Sequence, residues 1–186
     1  VDGNIVVWGD YRNGNWDVFG YDLAGGGEFV IAEGEAYQRS ASIDGGLVAY
    51  EECLSGSDGT VGVYDIAGGT RRYLDIPGLC DWVGIQGRYV VWGDYRGNET
   101  DIYGLDLETD QEFIVCSKSG WQFRPAVYGD RAVWADDRNG AGNRAIWGRS
   151  LTDMDYDDVT IEPEVTEVEK WFTEFFEGEG WADSFD

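Results

Sequence analysis

Histidine is missing altogether from this 186-residue sequence, methionine occurs once, proline three times, and lysine only as Lys118 and Lys170. Each scarcity closes off a class of function. Without histidine the chain lacks the usual general base and the commonest transition-metal ligand. Thirteen basic residues face 37 acidic ones, a net charge of −24. No basic stripe interrupts that field, so nucleic acid is not an expected partner and anionic membranes are repelled. No apolar run approaches the ~18–20 residues of a membrane span, so membrane insertion is not expected. Cys53, Cys80 and Cys116 have no metal-ligand spacing. Either Cys53 and Cys80 meet across neighbouring loops and leave Cys116 free, or all three are buried thiols.

What the chain has instead is aromatic rings and turns: 9 Trp, 11 Tyr, 8 Phe and 28 Gly. This is the composition of sheets joined by tight turns. An acidic, lysine-poor surface suits an extracellular, cell-surface or high-salt setting. The sequence opens at Val1 in strand-like residues with no leader-like segment, as expected of a mature chain or a piece of a larger one.

The heptapeptide VVWGDYR occurs at residues 6–12 and again at 90–96. Halfway between lies a degraded copy, VAYEECL at 48–54, and one step further AVWADDR at 132–138. Trp8, Tyr50, Trp92 and Trp134 are thus spaced by 42 residues, a period that points to propellers, solenoids or arrays. Each repeat holds four short strand signals, shown best by DWVGI (81–85), YVVW (89–92), DIYGLDL (101–107) and QEFIV (111–115), with Gly97-Asn98 and Thr109-Asp110 as breakers. Four strands in about 42 residues predict an all-β propeller of four-stranded blades, four blades in this chain. The predicted blades are 1–43, 44–85, 86–127 and 128–161. A short amphipathic helix and tail fill 162–186.

The stretches VVWGDYRNGNWDVFGYDL with QRSASIDG, and VVWGDYRGNETDIYGLDL with QFRPAVYGDRAVWADDR, resemble TolB-like β-propeller repeats, frequent in secreted and cell-surface proteins of bacteria and archaea. The resemblance covers residues 1 to about 161. It implies the fold and leaves the function open, because propellers host many activities.

Several residues invite a chemical reading. Asp10 with Arg12, Asp94 with Arg96 and Asp136 with Arg138 recur in three blades, which predicts structural ion pairs rather than a site built once. The second repeat has Glu52 and Leu54 instead, so its turn must be held differently, for example through Cys53. Asn13, Asn15 and Asp17 suit either Ca²⁺ or a tight turn. DMDYDDVTIEPE at 153–164 has the spacing of a Ca²⁺ loop: Asp153, Asp155, Asp157, the Val159 carbonyl and Glu164 are the candidate ligands, with Asp158 where glycine is expected. The competing reading is a loop followed by the outer strand DVTI. Asn98 begins the acceptor sequon NET in a turn. Val165, Val168, Trp171, Phe172, Phe175 and Phe176 would line the apolar face of the helix, and such a face predicts a cap on the propeller or a dock on another subunit.

One strand is unaccounted for. Inner strands are legible at 39–43, 81–85 and 123–127, and none is legible for the first blade. An upstream segment, the tail (VTIEPEV, 159–165) or another copy must fill that edge. The expected function is therefore a non-enzymatic structural module that forms a homo-oligomer or filament. The alternative is a glycan- or peptide-binding module using Trp82, Trp121 and Phe123 as stacking platforms. A glycosidase-like carboxylate pair is the third reading.

Overall fold

The computed structural model describes residues 1–53, 59–140 and 144–152. The candidate Ca²⁺ loop, the helix and its apolar face lie outside the described residues. Fourteen strands and no helix are formed among the described residues. β1 (Ile5–Asp10), β2 (Asp17–Asp22) and β3 (Gly27–Ala32) make a three-stranded sheet. β4 (Tyr37–Asp44), β5 (Leu47–Cys53), β6 (Gly59–Asp65) and β7 (Thr70–Tyr73) make a four-stranded one. β8 (Cys80–Gln86), β9 (Tyr89–Asp94), β10 (Asp101–Asp106) and β11 (Gln111–Cys116) make another, and β12 (Gln122–Tyr128), β13 (Arg131–Asp136) and β14 (Ala145–Ser150) the last.

Every pairing is between sequence neighbours and antiparallel, because short turns permit nothing else. Between β4 and β5, Gly45 and Gly46 both have left-handed φ angles of 57° and 81°, as a two-residue hairpin requires. The blade boundaries differ from those expected from the sequence. The strands at 37–44, 80–86 and 122–128 hydrogen-bond to the strands that follow them, so each opens its blade instead of closing the one before.

The core lies between blades. Val18, Ile31 and Ala32 of blade one pack with Ile43, Val48 and Tyr50 of blade two. Ala49, Val61 and Val63 meet Val83, Ile85, Val90, Trp92 and Leu105 of blade three. Tyr89, Val91, Ile102 and Phe113 then meet Ala132 and Trp134 of blade four. Inner strands carry this stacking: β1 packs on β4, β4 on β8 and β8 on β12, while blades one and four share no comparable packing among the described residues. The four blades form an open arc.

The repeated heptapeptide exposes the ends of that arc. In β9 every residue of Tyr89–Asp94 is buried, whereas every residue of Ile5–Asp10 in β1 is only partly buried. Trp92 has no exposed surface, and its counterpart Trp8 has some. The same sequence has two burial states because blade three has a blade on each side and blade one does not.

Candidate functional site

A three-residue clasp recurs in blades one, three and four. Trp92 donates its indole N–H to Asp94 Oδ2 at 2.9 Å, and Arg96 returns a bidentate bond at 2.8 Å to both carboxylate oxygens. The Arg96 guanidinium also bonds Glu112 at 2.7 Å and lies 3.9 Å above the Tyr103 ring. Blade one repeats this with Trp8, Asp10, Arg12, Glu28 and Phe19. Blade four repeats it with Trp134, Asp136, Arg138 and Trp147. In each, the backbone N–H of the arginine also caps the aspartate. Bonds from Arg12 and then Trp8 hold the Asp10 carboxyl well below the usual carboxylate range, and the bonds of Arg96 to Glu112 and Asp94 raise its own pKa further. In blade two, Glu52 accepts from the Tyr73 hydroxyl at 3.3 Å instead, a tie that the cysteine suggestion did not foresee.

Blade two departs from the repeat at a second position. The residue after the aromatic is Gly9, Gly93 or Ala135 in the other blades and Glu51 here. A small residue suits that position: a Cβ on Gly93 would come within 3.3 Å of the Asp81 carbonyl, Thr100 and Trp82. Glu51 fills it with a carboxylate that has no exposed side-chain surface. Arg39 Nε lies 2.9 Å from its Oε1, and Ser40 Oγ donates to that same oxygen. The Arg39 guanidinium also stands 3.9 Å from Asp81. Glu51 Oε2 is buried with no hydrogen-bond partner, and Asp81 shares the Arg39 guanidinium with Glu51. Burial, and then the neighbouring Asp81, push Glu51 up to about 8, against the opposing pull of Ser40 and Arg39. Burial opposes the charge of Arg39, but Glu51 and Asp81 raise its pKa overall. Burial thus favours the protonated form of Glu51, in a cluster that ties blade two to Asp81 of blade three. With Glu51 closed to solvent, it is a clasp and presents no acid to a substrate.

Strain gathers on the inner strands β4, β8 and β12. Ser40, Trp82 and Arg124, again 42 residues apart, have φ angles of 53°, 53° and 50°. Each sits at a bulge in its inner strand. Left-handed backbone costs a non-glycine residue ~1–2 kcal/mol, and a bulge re-aims the side chain it carries.

Beside them runs a ladder of rings. Tyr95 meets Trp121 edge-on at 6.4 Å, Trp121 stacks on Phe123 at 6.4 Å with the planes 8° apart, and Phe123 meets Trp82 at 5.9 Å. Arg144 lies 4.7 Å over Phe123. The structure thus brings Trp82, Trp121 and Phe123 together, and Trp121 is exposed. An open cleft next to Trp121 is lined by Asn98, Glu99, Asp101 and Lys118. Asn98, the sequon residue, is exposed there between β9 and β10.

Other sequence candidates resolve into local ties. Asn13 donates to Asp17 at 2.9 Å, and Asn15 donates to the carbonyls of Gly34 and Ala36. The cysteines are free thiols, with Cys53 partly buried and Cys80 and Cys116 buried. Among the described residues no group of three or more His, Cys, Asp or Glu side chains is placed to hold a metal ion. The candidate ligands Asp153, Asp155, Asp157, Val159 and Glu164 lie outside them. So do Val165, Val168, Trp171, Phe172, Phe175 and Phe176. Among the described residues no helix is long and apolar enough to cross a membrane.

No protein-family model and no curated protein matches the chain. Solved structures do. A structure assigned as TolB from Agrobacterium tumefaciens superposes with a TM-score of 0.66 at 13% identity over 80% of this chain and 58% of its own. TolB from Acinetobacter baumannii gives 0.62 at 13% over 81% of this chain and 39% of its own. The fold is a TolB-like β-propeller. An oligogalacturonate lyase in complex with manganese also matches, with a TM-score of 0.56 at 13% identity over 86% of this chain and 50% of its own. The propeller is thus shared by proteins of unlike function, enzymes among them. The chain spans between about two fifths and three fifths of each of these structures.

Proposed function

We propose that this chain is a non-enzymatic structural module, working outside the cell or in its envelope, whose open arc of blades associates with further blades. The observation that carries this reading is the unequal burial of one sequence: VVWGD is fully buried in β9 and partly exposed in β1. Large apolar surface left at an edge marks an interaction site, and β1, which pairs only with β2 among the described residues, adds unpaired backbone groups. Light scattering on the purified chain, with electron microscopy of anything large, tests the proposal. Multiples of the 20.7 kDa chain mass are expected; a monomer at all concentrations refutes it. Deleting residues 159–186 separates strand or tail exchange, which that deletion abolishes, from packing of blade faces, which it spares.

A second reading, glycan or peptide binding, is favoured by the continuous ladder from Tyr95 to Trp82, because stacked and exposed rings suit sugar faces and peptide side chains. It predicts that Trp fluorescence shifts with an oligosaccharide panel and that Trp121→Ala removes the shift. No response to sugars or peptides would set it aside.

A further inference from the structure

The two ends of the arc are two halves of one interface, and the chain contains that interface three times. Between blades three and four, Tyr89, Val91 and Ile102 form one half, and Ala132, Trp134 and Trp147 the other. Moving the first half on by one repeat gives Arg131, Val133 and Ile146 at the outer face of blade four. Moving the second half back to the start of the chain gives Val6, Trp8 and Phe19 on blade one. Of these counterparts Arg131 and Ile146 are exposed and Val133, Val6 and Trp8 half-buried, while Phe19 is buried. Ile102 is fully buried, whereas Ile146 is 41% exposed; Leu105 is 8% exposed, whereas its blade-one counterpart Tyr21 is 36% exposed.

Charge selects between the ways these faces could pair. Residues 1–32 hold five acids and one arginine, and residues 122–150 hold five arginines and three aspartates. In a chain of net charge −24 the second end is locally positive. Two copies of blade one brought face to face would juxtapose acidic ends, which costs energy. Blade four against blade one joins opposite charges in the order already used inside the chain.

We propose that two copies of this chain associate head-to-tail, the outer face of blade four in one copy packing on blade one of the other, and that two such contacts close an eight-bladed ring. The proposal rests on the reading of the chain as an assembling module and adds the partner, the faces and the symmetry. A heterologous contact closes when its rotation fits, and eight blades lie within the range that propellers use.

The test uses the intact chain with one exposed residue changed at each end, Tyr21→Arg on blade one or Ile146→Asp on blade four, each of which sets like charges against each other across the proposed contact. Each variant alone is expected to be monomeric, since every contact in the ring uses one blade-one face and one blade-four face. Near-UV circular dichroism like that of the parent shows that each still folds. Mixed, the two variants are expected to form a one-to-one complex of twice the chain mass through the single interface left intact, weakened by raised salt. A parent that assembles while Ile146→Asp still does so, or variants that never pair on mixing, overturn the head-to-tail arrangement and leave the assembly reading standing. A monomeric parent overturns both.

Discussion

Replacing Glu51 by glutamine isolates the buried clasp. The carboxyl has an ordinary value of 4.5 and is pushed up to about 8, first by burial. Below about pH 4.5 folded and unfolded chains both carry the proton, and its stabilisation is complete. Between 4.5 and 8 the unfolded chain releases the proton while the folded chain keeps it, so stability falls as pH rises. Above 8 the folded chain must bury an extra charge. One unit of displacement is about 1.4 kcal/mol, so a rise of this size is worth on the order of a few kcal/mol. Glutamine keeps the carbonyl that accepts from Ser40 and Arg39. A chain of this size shifts by ~2–4 °C per kcal/mol. Glu51→Gln should therefore melt about 5–10 °C above the parent at pH 8.5 and within a degree or two of it at pH 5. The readout is the difference between the two melting curves from pH 5 to 9, which cancels the repulsion that the other carboxylates build up over the same range. Arg39, Asp81, Cys53, Cys80 and Tyr95 surround the group, and both proteins share them. A difference that stays flat with pH, or a glutamine variant less stable at pH 8.5, refutes a proton held on Glu51.

Three further outcomes follow from the repeat. Asp94→Asn should cost ~3 kcal/mol in denaturant unfolding, because it unbalances a buried pair, while Asp10→Asn in the half-open first blade should cost clearly less, because solvent screens that pair; equal costs would mean that the two clasps are equally shielded. Gly104→Val should destabilise by ~1–3 kcal/mol, since even a Cβ at Gly104 would lie 2.5 Å from the Phe113 ring; a neutral result would show that the ring moves freely. Calcium held by Asp153, Asp155, Asp157, the Val159 carbonyl and Glu164 predicts that a chelator lowers the melting temperature and that Asp155→Ala abolishes this response; no effect of chelator removes that site.

The blade pattern was legible because every blade must bury its faces against the next, which forces the same aromatic and β-branched residues to return at a fixed period. The Trp–Asp–Arg clasps were legible for the same reason. The cluster of Arg39, Ser40, Glu51 and Asp81 was not, since its members come from two blades and it exists only once. A signal was present all the same: across four repeats one position reads Gly, Glu, Gly, Ala, and the single large charged residue among small ones marks the change. The blade bounds fell one strand too late, although the strand signals themselves, with DWVGI ahead of YVVW and no inner strand for the first blade, carried the order that hydrogen bonding shows, as in Tyr37–Asp44 pairing with β5. The left-handed residues were also hidden, for serine, tryptophan and arginine carry no turn signature.

The departures from the repeat share one cause, and it bears on the assembly. A repeat fixes the residues that every blade needs, so a substitution in one blade is free to answer to that blade's neighbours. Blade two, enclosed on both sides, spends its departure on a buried clasp to blade three. Blade four, open on one side, replaces Tyr89 of blade three by Arg131 on that open side, which suits contact with charge rather than with a fully apolar core; its other new arginine, Arg149, turns the opposite way and bonds the Ile114 and Val115 carbonyls of blade three. Blade one keeps the apolar heptapeptide of an enclosed blade although the described chain does not enclose it. A face kept for burial at one end and a cationic face at the other are what a heterologous contact between blades requires, and neither is needed by an arc that stays alone in water.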